Sequence, residues 1–450
     1  MLFIKDKQYA KKMLMLALPV AMQSVLQSSI LNFADQLMVG QLGSANVAGI
    51  GIASKFVSIF SVVVAAISTA ITIIISQNIG QNDESDINEG FWTGVLSALS
   101  LGFAFFTATA FFSENVMSFY TNDSVTVSIA AGYIRIFSVS FLLMALSTMM
   151  MTMLRCLEHT KIIMISGIVS AVFNVILNYV LIFGKLGVTP MGANGAAIGT
   201  VLGHFVNCAI LSVSLCVCCK KEGRKLPFGI MKKKSDWIPF IKMFIPVVAG
   251  SFLWSVGDNV YTAIYGHVGT AVCAAITLMF PLQEVVIGSA RGLASASGVI
   301  ISKTMGTGDF EKSYKYSMTN INYGFFTVIC LSALLVAVSS FYPLLFNVEP
   351  ETKELTKMII IVFAIFAPAK LVKMVILNGI IKCGGNTMYA FAVDVGSIWL
   401  VGVPVTALAA FVFELPMVWI YFVGMSADVV AFLAAFIVMK KKKWMAVLPD

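Results

Sequence analysis

The chain has 450 residues, 59% of them hydrophobic and only 12% charged, with a mean hydropathy of +0.91. A soluble domain carries about 25% charged residues, so this composition excludes a protein covered by a water-facing surface. The formal charge of +8 is gathered in short clusters between apolar runs long enough to cross about 30 Å of hydrocarbon as helices. The chain therefore reads as an all-α polytopic membrane protein.

The opening segment "MLFIKDKQYAKK" leads straight into a long span without a small-residue cleavage site, so no cleavable signal peptide is expected. Apolar runs between polar connectors predict twelve transmembrane helices, over 12–37, 44–78, 90–112, 127–153, 161–184, 193–219, 239–265, 270–303, 316–341, 354–381, 387–412 and 416–439. Lys and Arg cluster at "KDKQYAKK", "RCLEHTK", "KKEGRKLPFGIMKKKSDW", "KTMGTGDFEKSYK", "IKCGG" and "KKKKW", while the alternate connectors carry few. That bias places both termini and the middle loop in the cytoplasm. The same clusters read as charge at a lipid surface, and no nucleic-acid partner is expected. The eight cysteines show no disulfide framework. Cys216, Cys218 and Cys219 close a span on the cytoplasmic side, where thiols stay reduced. His159, His204 and His267 have no metal-ligand spacing.

The longest hydrophilic stretch, Lys220 to Asp236, falls between the sixth and seventh spans. It divides the chain into an amino lobe (1–219), a cytoplasmic linker (220–238) and a carboxy lobe (239–450). Without a gap, "GQLGSANVAGI" (Gly40–Ile50) lies on "GHVGTAVCAAI" (Gly266–Ile276). In the same frame "SQNIGQND" (Ser76–Asp83) falls on "SKTMGTGD" (Ser302–Asp309), and Pro19 and Pro246 open the two halves one residue out of frame. An even number of spans per half keeps both copies in one orientation. They are expected to be parallel repeats, an arrangement that favours a site between lobes and alternating access.

These residues resemble the multidrug and toxic compound extrusion (MATE) transporters over the whole chain. The resemblance is carried by the Asp35–Gly40–Gly43 stretch and by the "SQNIGQND"/"SKTMGTGD" pair. It is also carried by "FNVILNYVLIFGKLGVTPMGANGAAIGT" (Phe173–Thr200) and "NGIIKCGGNTMYAFAVDVGSIWLVGVP" (Asn378–Pro404). It implies a V-shaped pair of six-helix lobes in the plasma membrane and export of amphipathic, often cationic small molecules. The drive it implies is Na⁺ or H⁺ moving the other way, with no cofactor beyond the transported ion and a monomer in the bilayer.

The sequence itself has no phosphate-binding loop of the G-x-x-x-x-G-K-[ST] type, so work must come from an ion gradient and from polar groups at membrane depth. Asp35, inside the first span, is the first candidate. An intramembrane carboxylate is costly and tends to face a bundle interior or wet cavity, where it takes up a proton or binds a cation; a helix-end cap is the alternative. Asn174 and Asn178, four apart, share one face of the fifth span. Their amide oxygens suit a hard cation, and interhelical hydrogen bonding is the competing reading. In similar proteins with an amino-lobe ion site, Asn174 matches a ligand, Asn178 a position often held by Asp, and Thr200 lies near a further ligand. In the carboxy lobe, relatives' Glu in the seventh helix falls near Trp254 and their Asp in the tenth near Leu371, so that site is absent as such. In its place stand Asp258, Glu284, Arg291, Lys370, Lys373 and Asp394. Lys370 and Lys373 lie three apart on one face, and Glu284 or Asp394 is expected to pair with one of them, either as a working charge pair or as static packing.

A lipid-linked or polyanionic substrate flippase on a related two-lobe plan is the alternative function. Such a cavity would be lined with many Arg and Lys, and the chain offers few. Nothing points to an enzyme: there is no metal-spaced His/Asp cluster and no nucleophile motif.

Overall fold

The computed structural model describes residues 7–26, 37–231, 234–346 and 348–446. The α-helices whose bounds are described run as follows in chain order. They are α1 (Lys7–Val25), α2 (Ser44–Gln81), α3 (Glu84–Phe111), the short α4 (Ser113–Ser118), α5 (Ser124–Cys156), α6 (Thr160–Phe183) and α7 (Gly192–Lys221). After them come α8 (Lys234–Val268), α9 (Thr270–Gly306), α10 (Phe310–Val338), α11 (Pro350–Met374), α12 (Thr387–Gly396), α13 (Val403–Phe411) and α14 (Met417–Lys440). No β-strand occurs among the described residues. Among the described residues, eleven helical stretches are long and apolar enough to cross a membrane, with α12 and α13 forming one of them. Of the first expected span, 12–37, residues 27–36 lie outside the described residues.

Several helices begin before their apolar runs, because a polar residue caps them. Asp83 accepts hydrogen bonds from the Ser85 and Asp86 amides, so α3 starts at Glu84 rather than near 90. Asp309, its equivalent in the repeat, accepts from the Lys312 amide at 2.9 Å and starts α10. Asp123 does the same for α5 through the Thr126 amide at 3.0 Å. Each satisfies amide donors that a helix start leaves without an intrahelical partner.

Contacts divide the chain into two compact units. One holds Val25–Asn78 and Asp83–Phe240. Its core includes Phe60, Phe91, Phe141 and Ile71, all under 2% exposed, with the rings of Phe60 and Phe141 4.9 Å apart. Close packing of α6 on α7 follows from glycines spaced four apart. A Cβ on Gly195 would stand 2.7 Å from the Leu181 carbonyl oxygen, and one on Gly203 would stand 3.1 Å from Asn174 Cβ. Small residues at this spacing let helix backbones approach in a membrane, where apolar burial between helices supplies little drive.

The other unit gathers residues up to Ser24, Ile79–Asn82 and Ile241 onward. The described start of the chain thus packs with the carboxy half. Tyr9, Met13, Leu16 and Ala17 bury against Leu293, Ala296 and Ile300 of α9. Tyr9 also stacks on Tyr316 at 4.4 Å and donates to Asn320 Oδ1 at 2.6 Å. Gly292 is required where α1 crosses α9, since a Cβ there would meet the Ala17 carbonyl.

Two π-helical turns interrupt this unit. Val375–Ile381 follows α11, and Ser397–Gly402 joins α12 to α13. The second has a local cause. Pro404 lacks an amide donor and cannot bond the carbonyl one turn back, and the Val403 amide reaches Ile398 instead. Past the first, the Ser302 hydroxyl donates to the Cys383 carbonyl at 2.8 Å.

Candidate functional site

Two polar centres stand inside apolar spans, one in each unit. In the amino centre α6 supplies Asn174 and Asn178, and α7 supplies Thr200. The Asn178 amide donates to Asn174 Oδ1 at 3.2 Å, and the Asn174 amide donates to Thr200 Oγ1 at 3.3 Å. Thr200 in turn donates to the Ala196 carbonyl at 2.8 Å. Asn178 is only 3% exposed. Gly199 leaves the room for it, because a Cβ there would overlie the Asn178 side-chain oxygen. The structure therefore brings three of the sequence's four amino-lobe candidates into one chain of hydrogen bonds. The fourth, Asp35, lies outside the described residues.

The carboxy centre is richer in charge. Lys373 on α11 is 8% exposed. Its ammonium donates to Asp428 Oδ1 at 2.8 Å and stands 3.6 Å from Asp394 Oδ1. Lys370, one turn earlier, reaches Asp428 Oδ2 at 3.4 Å. The four formal charges sum to zero, the condition under which buried ions are tolerated. Three separate elements, α11, α12 and α14, supply them, with Asp428 midway along the 24-residue α14. Both π turns adjoin the centre, beginning two residues past Lys373 and three past Asp394. Such turns often accompany functional positions in helices.

A cavity of about 110 Å³ opens beside these charges. A water needs roughly 10–15 Å³ of such space, so the cavity has room for several. Lys370, Lys373, Asp428 and Asp258 line it together with Trp254 and the tyrosines Tyr261, Tyr265 and Tyr421. Trp254 and Asp258, one turn apart on α8, thus share one wall.

The remaining carboxy-lobe candidates lie elsewhere. Glu284 pairs along α9 with Arg291 at 3.1 Å, and Asp394 rather than Glu284 is the acid that meets a lysine. Asp428 was missed by sequence reasoning. The signal was present: it is the one acid within the apolar run of the last span, as Asp35 is in the first. Lys55 was missed too, exposed inside the apolar stretch of α2. Among the described residues no group of three or more His, Cys, Asp or Glu is placed to hold a metal ion.

Taken together, a multi-pass helical chain whose halves repeat, with a buried polar centre in each, defines an integral membrane protein of duplicated design. The family model described as MatE matches it twice, over residues 19–180 and 246–408. The two matches open at Pro19 and Pro246, the prolines that mark the repeat. The chain belongs to the MatE family. It is 24% identical over 429 residues to "Probable multidrug resistance protein NorM" of Thermotoga maritima, covering 93% of this chain and 89% of that one. A protein of the same name from Oceanobacillus iheyensis is 23% identical and covers 98% of both chains. Among solved structures, the bent form of the Vibrio cholerae MATE transporter VcmN superposes with a TM-score of 0.85 at 15% identity, covering 97% of both chains. That likeness carries the fold.

Proposed function

We propose that this chain is a multidrug exporter of the plasma membrane. In this reading it works as a monomer with both termini in the cytoplasm and expels amphipathic, often cationic compounds in exchange for Na⁺ or H⁺. The observation that carries the reading is the pairing of a family match in both halves with relatives named as multidrug resistance proteins along nearly their whole length. The polar groups of the amino lobe, Asn174, Asn178 and Thr200, support an ion-driven reading.

The steps rest on Asp35 as read from the sequence and on the amino-lobe hydrogen-bond chain. Asp35, with Asn174, Asn178 and Thr200, takes up the incoming ion. Amide and hydroxyl oxygens satisfy a hard cation, and the carboxylate accepts either that cation or a proton. Ion and drug bind to alternative states of the lobes, so release of one on one side favours loading of the other. A ligand shifts such an equilibrium only by its differential affinity for the two states. A polyanionic flippase gains no support from the carboxy cavity, since both of its lysines are already engaged by aspartates.

The reading is tested by expressing the chain in drug-sensitive cells and following ethidium accumulation with and without external Na⁺. Expression is expected to lower accumulation, and Asp35→Asn to restore it. Efflux that survives Asp35→Asn removes the coupling assignment. Absence of efflux for every dye tried, with binding of a lipid pyrophosphate instead, would install the flippase.

A further inference from the structure

The carboxy centre has the geometry of a cation site with its cation already in place. Two carboxylates, Asp394 on α12 and Asp428 on α14, converge from different helices on one ammonium group. Converging acidic oxygens within spans are what a mobile monovalent cation would need to cross. Between them stands an ammonium group on a four-carbon stem that starts on a third helix, α11. Lysine's ammonium is a compact point charge with three donors. Lys373 uses it at 2.8 Å on one acid and 3.6 Å from the other, and Lys370 covers the second oxygen of Asp428 at 3.4 Å. A metal cation brought to these oxygens would meet two positive charges and displace a hydrogen-bonded, charge-neutral arrangement. Asp258, Tyr261, Tyr265 and Tyr421 face the same cavity, and the tyrosines have hydroxyl rather than charged oxygens to offer.

We propose that Lys373, seconded by Lys370, is a tethered cation: it permanently fills the position between Asp394 and Asp428, and so closes the carboxy unit to Na⁺. The inference rests on the ion-coupled reading above only for its consequence. Where exchange is ion-driven, the mobile ion is loaded in the amino unit alone, and the carboxy centre stays neutral through the cycle.

The test reads cation binding rather than export. The thermal midpoint of the purified protein is measured in NaCl and in choline chloride at equal ionic strength. Three chains are compared: the parent, K370M/K373M, and K370M/K373M/D428N. Emptying the position is expected to create a Na⁺ site. K370M/K373M should gain a Na⁺-specific rise of about 2 °C or more over any rise in the parent, and D428N should abolish that gain. An equal Na⁺ response in parent and double variant overturns the proposal. So does a gain that persists after D428N. If the double variant is not recovered folded, Lys373→Met alone, which keeps the Lys370–Asp428 pair, is held to the same comparison and the same contrary results. Failure of drug export would leave this outcome untouched, so the two readings fail separately.

Discussion

Asparagine at position 428 keeps the shape of the side chain and removes its charge, which makes it the sharpest probe of the carboxy centre. In the parent, Asp428 neutralises Lys373 at 2.8 Å and Lys370 at 3.4 Å, and both lysines are largely buried. After the substitution both ammonium groups lose the carboxylate they share, and Lys373 keeps its longer contact of 3.6 Å to Asp394 Oδ1. Removing one partner of a buried ion pair costs about 3–5 kcal/mol, because the other charge stays buried without compensation. Lys373→Met should cost less, since it leaves the Lys370–Asp428 pair intact, and Lys370→Met least, since its contact is the longer. The double variant Lys373→Met/Asp428→Asn should recover part of the loss. Contacting residues of this kind show coupling of roughly 0.5–3 kcal/mol in a double-mutant cycle. The assay is thermal or denaturant unfolding of the purified proteins in one detergent, followed by tryptophan fluorescence. Additive losses, or Lys370→Met costing more than Asp428→Asn, would refute the geometry on which the tethered-cation argument is built.

Gly199→Ala should loosen α6 from α7, because its Cβ meets the Asn178 side chain. A lower thermal midpoint together with impaired efflux is expected, whereas Gly40→Ala, with open space around it, should leave packing unchanged. Trp444→Ala removes a fully buried ring whose Nε1 donates to the Met439 carbonyl at 2.9 Å and which covers Gly384. Losses of about 3–5 kcal/mol are typical of such truncations, and unfolding measurements check it. The Thr126 hydroxyl, then the Thr126 amide, hold the Asp123 carboxyl below its ordinary 3.8. Its capping contribution is therefore complete above that value and is lost as the pH falls through the lowered one. A pH titration of stability should show part of the acid-side decline disappear in Asp123→Asn.

Much of the fold was written in hydropathy. The eleven spans seen among the described residues and the doubled glycine–aspartate pattern follow from apolar run length and from Asp83 and Asp309 recurring in one frame. Helix starts were misplaced because hydropathy sees the lipid-facing run and not the capping turn before it. In the amino centre, Asn174 and Asn178 were legible from their spacing of four, since helical geometry alone puts them on one face. Thr200 joined them through family likeness and not through any local pattern. The carboxy centre was half legible. Lys370 and Lys373 announced a charged face, but which acid would meet them depends on how α14 and α12 pack on α11, a long-range fact that spacing does not encode. The pairing of Asp428 with both lysines was hidden for that reason, although its place as the one acid of the last apolar run was legible. The π turns were hidden as well, although Pro404 marks where the second must relieve a missing amide. The docking of α1 on α9 through Gly292 and Tyr9 joins residues almost 300 positions apart, and no periodicity signals it.

The central claim is that buried polar groups exchange an ion for a drug, and reconstitution tests it most directly. Purified protein in liposomes is given an ethidium load, with Na⁺ or proton gradients imposed one at a time across the membrane. The account predicts dye movement against its own gradient while one of these ion gradients lasts, and loss of that movement in Asp35→Asn. Dye that only ever equilibrates, whatever ion gradient is applied, would contradict it, as would Asp35→Asn pumping at the parental rate.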